Sequence, residues 1–165
     1  MTVYNQFGSK ARLLEVLFEQ LITREAFAEM PRVFAETNRA AAFDLLVEIF
    51  GRFYTENRAT LGRLRAAAGA DPDLDQAMRS RNSRRQLVIE RLVRDLPRAK
   101  QRAVPDAELV TVLDVLLGFN TFDALAGESR TPSDVVGVVQ GLVRGVLGVP
   151  RRREARKRAT KRRRS

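Results

Sequence analysis

Apolar side chains recur three or four positions apart through almost the whole chain, and this spacing restricts what the chain can fold into. The clearest example lies between positions 40 and 57 and consists of Phe43, Leu46, Val47, Phe50, Phe53 and Tyr54. Such spacing places the side chains on one face of an amphipathic helix. No run alternates apolar and polar residues between turn signals, so the sequence predicts no β-strand. We therefore expect an all-α fold.

Helix-capping residues, glycines and prolines divide the chain into about six helices. Asp71-Pro72-Asp73 is a start signal, because a capping carboxylate precedes a proline suited to the first turn. Thr131-Pro132-Ser133-Asp134 combines the same use of proline with a capping threonine and an acid at the third position. The predicted helices cover residues 10–30, 40–57, 59–68, 72–96, 106–125 and 132–147.

The net charge of +10 is concentrated at the C-terminus. The last fifteen residues carry ten Arg or Lys and one Glu, whereas the other 150 residues hold 20 basic and 19 acidic side chains. The body of the protein is therefore nearly neutral, and the overall charge does not predict a DNA-binding face. We expect residues 150–165 to form a disordered basic tail.

The chain contains no cysteine and no histidine. A cysteine nucleophile, a serine–histidine–aspartate triad and the usual kind of zinc site are therefore excluded. The sequence contains no phosphate-binding loop, and nothing fixes two carboxylates at a catalytic spacing, so we expect no enzyme, no metal and no cofactor. The most apolar stretch, residues 135–149, is too short to span a bilayer, and the N-terminus is unlike a secretory signal. We expect a cytoplasmic protein outside the membrane.

The most specific motif is at the N-terminus. The order Thr2-Val3-Tyr4-Asn5-Gln6-Phe7-Gly8-Ser9-Lys10, followed by two leucines, resembles the end of the helix-turn-helix and the start of the connecting helix in the tetracycline-repressor (TetR) family of transcriptional regulators. The resemblance implies that Thr2, Tyr4 and Lys10, together with Asn5, contact operator DNA. A tyrosine that packs the N-terminus and a solvated lysine are the alternative from the residues alone.

The resemblance covers about residues 2–148. It implies that residues 1–8 are the remnant of a recognition helix whose two supporting helices precede this segment, so we expect this chain alone to bind operator DNA poorly or not at all. It also implies that residues 9–149 form a helical ligand-binding and dimerisation domain. In such regulators an unknown small-molecule effector enters the helical core and changes the separation of the two recognition helices in a homodimer.

Three glycines of the last predicted helix, Gly137, Gly141 and Gly145, are four positions apart and therefore share one face. Each costs up to about 1 kcal/mol relative to alanine in a helix, and close approach of another backbone would offset that cost. We interpret this face, with Leu116 on the preceding helix, as the dimer interface of a four-helix bundle. Tight packing within one chain is the alternative.

A pocket between helices is the usual place for a small molecule in a helical domain, and polar residues on apolar helices would orient it there. The residues that we expect to line such a pocket are Phe50, Tyr54, Arg65, Phe119, Asn120, Phe122 and Asp123. The alternative is that the aromatic residues are plain core and that the polar ones are caps or solvent contacts. The lack of histidine and cysteine favours an apolar or hydrogen-bonding ligand over a metal.

Two basic segments leave functional alternatives open. The run from Arg79 to Arg85 is expected to be a solvated helix face, and contact with an anionic ligand or phosphate is the alternative. The basic tail supports a second function for the whole protein, which is binding of nucleic acid or another polyanion. Such binding would be independent of sequence and would fall steeply with salt.

Overall fold

The computed structural model describes Val16, residues 27–96 and residues 105–149 of the chain. No strand occurs among these residues, and the predicted all-α fold of about six helices is confirmed. The helices are α1 (Met30–Ala35), α2 (Arg39–Ala68), α3 (Pro72–Arg94), α4 (Asp106–Leu116), α5 (Phe119–Ala126) and α6 (Val136–Val146), with a 3-10 turn (Pro132–Val135) before α6.

The end of the first predicted helix is wrong. Phe27 has 3-10 helical geometry, residues 28–29 form a turn, and Pro31 lies in the first turn of the short helix α1 instead of marking the end of a helix at residue 30. Proline suits that position, because the first N–H groups of a helix have no partner within it. The rest of the predicted helix, apart from Val16, lies outside the described residues.

The long helix α2 is the centre of the domain and packs against α1, α3, α5, the 3-10 turn and α6. The Asn38 side chain caps it by accepting hydrogen bonds from the backbone N–H groups of Ala40 and Ala41, at 3.1 and 3.3 Å. The predicted break near residue 58 is wrong, because the helix continues to Ala68. The buried Asn57 amide donates to the Phe53 carbonyl at 2.8 Å, so this polar side chain is satisfied inside the helix and does not interrupt it.

Both predicted start signals form caps. The Asp71 carboxylate accepts from the N–H groups of Asp73 and Leu74, at 3.1 and 3.3 Å, and begins α3. The backbone N–H and the hydroxyl of Thr131 donate to the Asp134 carboxylate, at 2.7 and 2.8 Å, in a capping box. These hydrogen bonds, first the backbone one, hold the pKa of the exposed Asp134 below its usual value.

The predicted helix over residues 106–125 is divided into α4 and α5, which are bent by 48° relative to each other. Gly118, at the break, has an extended backbone. Two carbonyls at the break accept hydrogen bonds from side chains. The Thr121 hydroxyl donates to the Val115 carbonyl at 2.5 Å, and the Tyr54 hydroxyl donates to the Leu117 carbonyl at 2.9 Å. The bend is therefore stabilised by partners for groups that a straight helix would have bonded internally.

Polar side chains tie α2 to the C-terminal half of the domain. The Arg58 guanidinium donates to the Asp123 carboxylate at 2.7 Å and to the carbonyls of Gly127 and Arg130, at 2.6 and 2.8 Å. Further along, the Nε of Arg144 on α6 donates to the Asp44 carboxylate at 2.9 Å. The Arg58 bonds hold α2 beside α5, close to the α4–α5 bend, and the Arg144 bond holds α6 against α2.

Candidate functional site

A cavity of about 610 Å³ lies between α2, α3 and the α4–α5 bend. The residues from α2 that line it recur at helical spacing, from Phe50 through Leu61 to Ala68, and so lie on one face of that helix. Met78, Arg81, Arg85 and Val88 line it from α3 with a similar spacing. Its volume is within the range of pockets that hold small organic molecules.

One wall of the cavity is aromatic. The ring of Phe27 lies edge-on to that of Phe53, with 4.9 Å between centroids, and the ring of Phe50 is stacked on that of Tyr54 at 5.6 Å. Phe119 adds a ring edge-on to Tyr54, also at 5.6 Å. Phe50, Phe53 and Tyr54 are buried, so this wall offers an apolar surface of fixed shape to a ligand.

A polar network lies beside the aromatic wall, at the end of α4. The Tyr54 hydroxyl donates to the Leu117 carbonyl, and the Arg85 Nε donates to Asp114 Oδ1 at 2.7 Å. Gln86 Nε2 donates to the other oxygen of Asp114 at 3.2 Å. The Arg85 and Asp114 side chains each keep only 14% of their exposure, so this is a largely buried ion pair.

The network changes the ionisation of its members. Burial raises the pKa of the Tyr54 phenol, and the nearby Arg85 charge opposes that rise without cancelling it. Burial acts in the opposite direction on Arg85, but Tyr54 and the hydrogen bond to Asp114 outweigh it, so the pKa of Arg85 is raised. At neutral pH the phenol is therefore a hydrogen-bond donor and the guanidinium a cation.

The other wall carries arginines. Arg65 on α2 and Arg81, Arg84 and Arg85 on α3 line the cavity, and we call these four side chains the arginine group. Burial, and next the positive charge of Arg84, lower the pKa of Arg81 to about 10. The prediction that the run from Arg79 to Arg85 is a solvated face is wrong for Arg85, whose side chain is 14% exposed and ion-paired with Asp114.

Five of the seven residues predicted for a ligand pocket line this cavity: Phe50, Tyr54, Arg65, Phe119 and Asn120. The other two lie outside the lining. Phe122 is fully buried and packs edge-on against the Tyr54 ring at 5.2 Å, so it supports the wall from behind. Asp123 is held by Arg58 at 2.7 Å.

The residues predicted for the pocket included neither Asp114 nor the arginines of α3, for which contact with an anionic ligand was the alternative prediction. A signal was available for these arginines, because Arg81 and Arg85 recur at helical spacing with the apolar Met78 and Val88. A cationic side chain on the apolar face of a helix indicates a position at a cavity or against a partner, away from bulk solvent. No local signal indicates that Asp114, 29 positions after Arg85, is its partner.

Of the residues predicted for a dimer interface, the three glycines lie on α6 with its exposed apolar side chains, and Leu116 lies at the end of α4. Gly137 and Gly145 are exposed, and a Cβ atom added to either would meet nothing within 4 Å. Gly141 and Leu116 are half-buried. On α6, Val138 and Leu142 keep 47% and 44% of their exposure. The exposed glycines do not accommodate another described part of the same chain.

The residues predicted to contact DNA, Thr2, Tyr4, Asn5 and Lys10, lie outside the described residues, as does the basic tail over 150–165. Within the described ranges, no single helix is both long and apolar enough to cross a membrane, and only the bent pair Ala107–Leu116 and Phe119–Ala126 passes that test jointly.

Comparisons of the chain with protein-family models, with curated proteins and with solved structures gave no significant match.

Proposed function

We propose that the chain is the ligand-binding and dimerisation part of a TetR-type transcriptional regulator, which acts as a homodimer on operator DNA. The observation that carries the proposal is the cavity of about 610 Å³, whose aromatic wall and polar network join α2 to the α4–α5 bend. The N-terminal motif from Thr2 to Lys10 supports the same function independently, through its resemblance to the family.

The polar network provides a route from the cavity to the C-terminal helices. Tyr54 and Arg85 line the cavity, and their partners Leu117 and Asp114 belong to the end of α4. A ligand that contacts Tyr54 or Arg85 differently in two arrangements of α4 and α5 shifts the equilibrium between them. In a dimer built on the C-terminal helices, that shift changes how the two subunits are oriented on DNA.

A second copy of the chain is the proposed occupant of the exposed α6 face. Val138 and Leu142 are apolar and exposed there, and Gly137 and Gly145 leave room for a backbone to approach closely. The family resemblance also implies dimerisation through the last two helices. A two-fold interface of this kind pairs the same face of both copies.

Light scattering after size exclusion tests the dimer. We expect the wild-type protein to have about twice the chain mass of 18.6 kDa, and Leu142→Lys to reduce it to one chain, because a buried interface does not accept an unpaired charge. The matched control is Leu87→Lys, which adds the same charge at an exposed leucine of α3. A monomeric wild-type protein, or equal dissociation by both variants, would contradict the proposed interface.

DNA binding tests the regulatory function. The protein is expressed with and without the codons upstream in its genomic reading frame, and its binding to its own promoter region is measured at moderate and high salt. We expect sequence-specific binding at high salt from the extended form, weakened by Lys10→Ala and Tyr4→Phe. The contrary outcome is that both forms bind equally, that salt releases them, and that deletion of residues 151–165 abolishes the binding. This outcome would instead establish polyanion binding through the tail.

A further inference from the structure

The two walls of the cavity differ in charge as well as in polarity. Among the described residues, four arginines and two aspartates, Asp75 and Asp114, line it, which leaves a formal excess of two positive charges. Both carboxylates are already bound: Asp114 accepts from Arg85 and Gln86, and Asp75 forms an ion pair of 2.6 Å with Arg79, which lies outside the lining.

The remaining arginines lie where an anion would be favoured. Arg65 and Arg84 are exposed residues of the lining and form no ion pair with another described residue. Arg81 is deeper, and both its burial and the nearby charge of Arg84 disfavour its cationic form. A negative charge placed between Arg81 and Arg84 would relieve their mutual repulsion and replace the water that burial has removed.

The apolar wall limits what else the ligand can contain. Phe27, Phe50 and Phe53 contribute to the lining a surface whose side chains carry no polar groups. A small hydrated inorganic anion would leave this surface unused, whereas an apolar body of several carbon atoms would cover it. The planar guanidinium group matches a carboxylate in two parallel hydrogen bonds, which fixes the direction of such a ligand.

We propose that the cavity binds an amphipathic organic carboxylate, with its carboxylate on Arg81 and Arg84 and its apolar body against Phe27, Phe50 and Phe53. That this molecule is also the effector rests on the regulatory function proposed above. The binding of this class of molecule to the cavity does not rest on that function, because it is inferred from the charge and the shape of the lining alone.

The test uses three probes with the same apolar chain and different head groups: dodecanoate, dodecanol and dodecylamine. Each is titrated below its micelle concentration against the full chain, and displacement of the fluorescent anion anilinonaphthalenesulfonate reports its affinity. We expect dodecanoate to bind at least about tenfold more tightly than dodecanol, since hydrogen bonds to a charged group contribute that much, and dodecylamine to bind most weakly. Equal affinity for all three head groups would overturn the proposal.

Variants separate the cavity from the general positive charge of the protein. Arg81→Gln and Arg84→Gln should each weaken dodecanoate by about tenfold and leave dodecanol unchanged. Arg63→Gln is the matched control, because Arg63 is an exposed arginine of α2 outside the lining and its loss changes the net charge equally. Circular dichroism melting confirms that the variants fold. The same loss of dodecanoate affinity in Arg63→Gln as in Arg81→Gln would refute binding in the cavity.

The promoter assay distinguishes this proposal from the regulatory one. Arginine-dependent binding of dodecanoate establishes the ligand class even when it leaves the promoter complex unchanged, an outcome that contradicts only the role as effector. A neutral molecule that releases the protein from its promoter, with no carboxylate binding to Arg81 and Arg84, would support the regulatory function and overturn the ligand class.

Discussion

The hydroxyl of Tyr54 on α2 donates a 2.9 Å hydrogen bond to the carbonyl of Leu117, 63 residues later in the chain. This bond lies where α4 ends and the chain turns through Gly118 into α5. The same phenol stacks on Phe50 and lies beside Arg85 in the wall of the cavity. One side chain thus contributes both to the candidate ligand site and to the bend between two helices.

Tyr54→Phe keeps the ring and removes this hydrogen bond. We expect it to lower the free energy of unfolding by about 1–3 kcal/mol, because a buried carbonyl loses its donor. Urea denaturation measures the change. The matched control is Thr121→Val, which removes the donor to the Val115 carbonyl at a more exposed place and should cost less. A Tyr54→Phe protein as stable as the wild type would show that the bond does not hold the bend.

The pH dependence of that difference follows from the raised pKa of Tyr54. The usual pKa of 10.0 applies in the unfolded chain and a higher one in the folded protein, so ionisation removes stability as pH rises above about 10. Arg81 acts in the opposite direction, because its folded pKa of about 10 lies below its usual value, so stability increases as the pH rises above about 10. In the wild type these two contributions to the pH dependence of stability therefore oppose each other.

Comparison with Tyr54→Phe isolates the tyrosine, since Arg81 is present in both proteins. We expect the stability gap between them to be constant from neutral pH to about pH 9 and to narrow by about pH 11, where the wild type loses the contribution of its phenol. Urea denaturation at these pH values measures the gap. A gap that widens with pH would mean that the folded state favours the phenolate.

The Arg85–Asp114 pair should be important for stability because both side chains are only 14% exposed. Asp114→Asn keeps the shape and leaves the Arg85 cation uncompensated, so we expect a loss of about 3 kcal/mol. The exposed pair of Arg79 and Asp75 is the control, and Asp75→Asn should cost less than about 1 kcal/mol. Thermal or urea unfolding compares the two variants. Equal costs would contradict the difference in burial that we describe.

Two glycines of α2 should respond to alanine in opposite directions. A Cβ on Gly51 would lie 2.4 Å from Val136 Cγ2, so Gly51→Ala forces α2 and α6 apart and should destabilise the fold by about 1–3 kcal/mol. A Cβ on Gly62 meets nothing within 4 Å, so Gly62→Ala should stabilise the helix by up to about 1 kcal/mol. Urea denaturation of both proteins measures the pair. A stabilising Gly51→Ala would show that the two helices do not approach closely there.

Much of the fold was predictable because its signals are local. The caps at Asp71 and Thr131 bond to N–H groups or carboxylates two or three residues away, so their residue types alone indicate where helices begin. The apolar spacing of α2 similarly identified its buried face, with Phe43, Leu46 and Phe50 in the core. The predicted break near residue 58 failed because Asn57 is satisfied by a carbonyl of its own helix.

Other features depended on partners far along the chain. The sequence alone determined an all-helical chain, its caps and most of the aromatic wall, since these follow from spacing and short-range bonds. Tertiary structure decided the bend at Gly118, where the buried carbonyl of Leu117 accepts a hydrogen bond from a tyrosine of α2. It also decided that Arg81 and Arg84 line a cavity, with Arg81 partly removed from water and Arg84 still exposed, because only the packing of α2, α3 and α4 determines these positions.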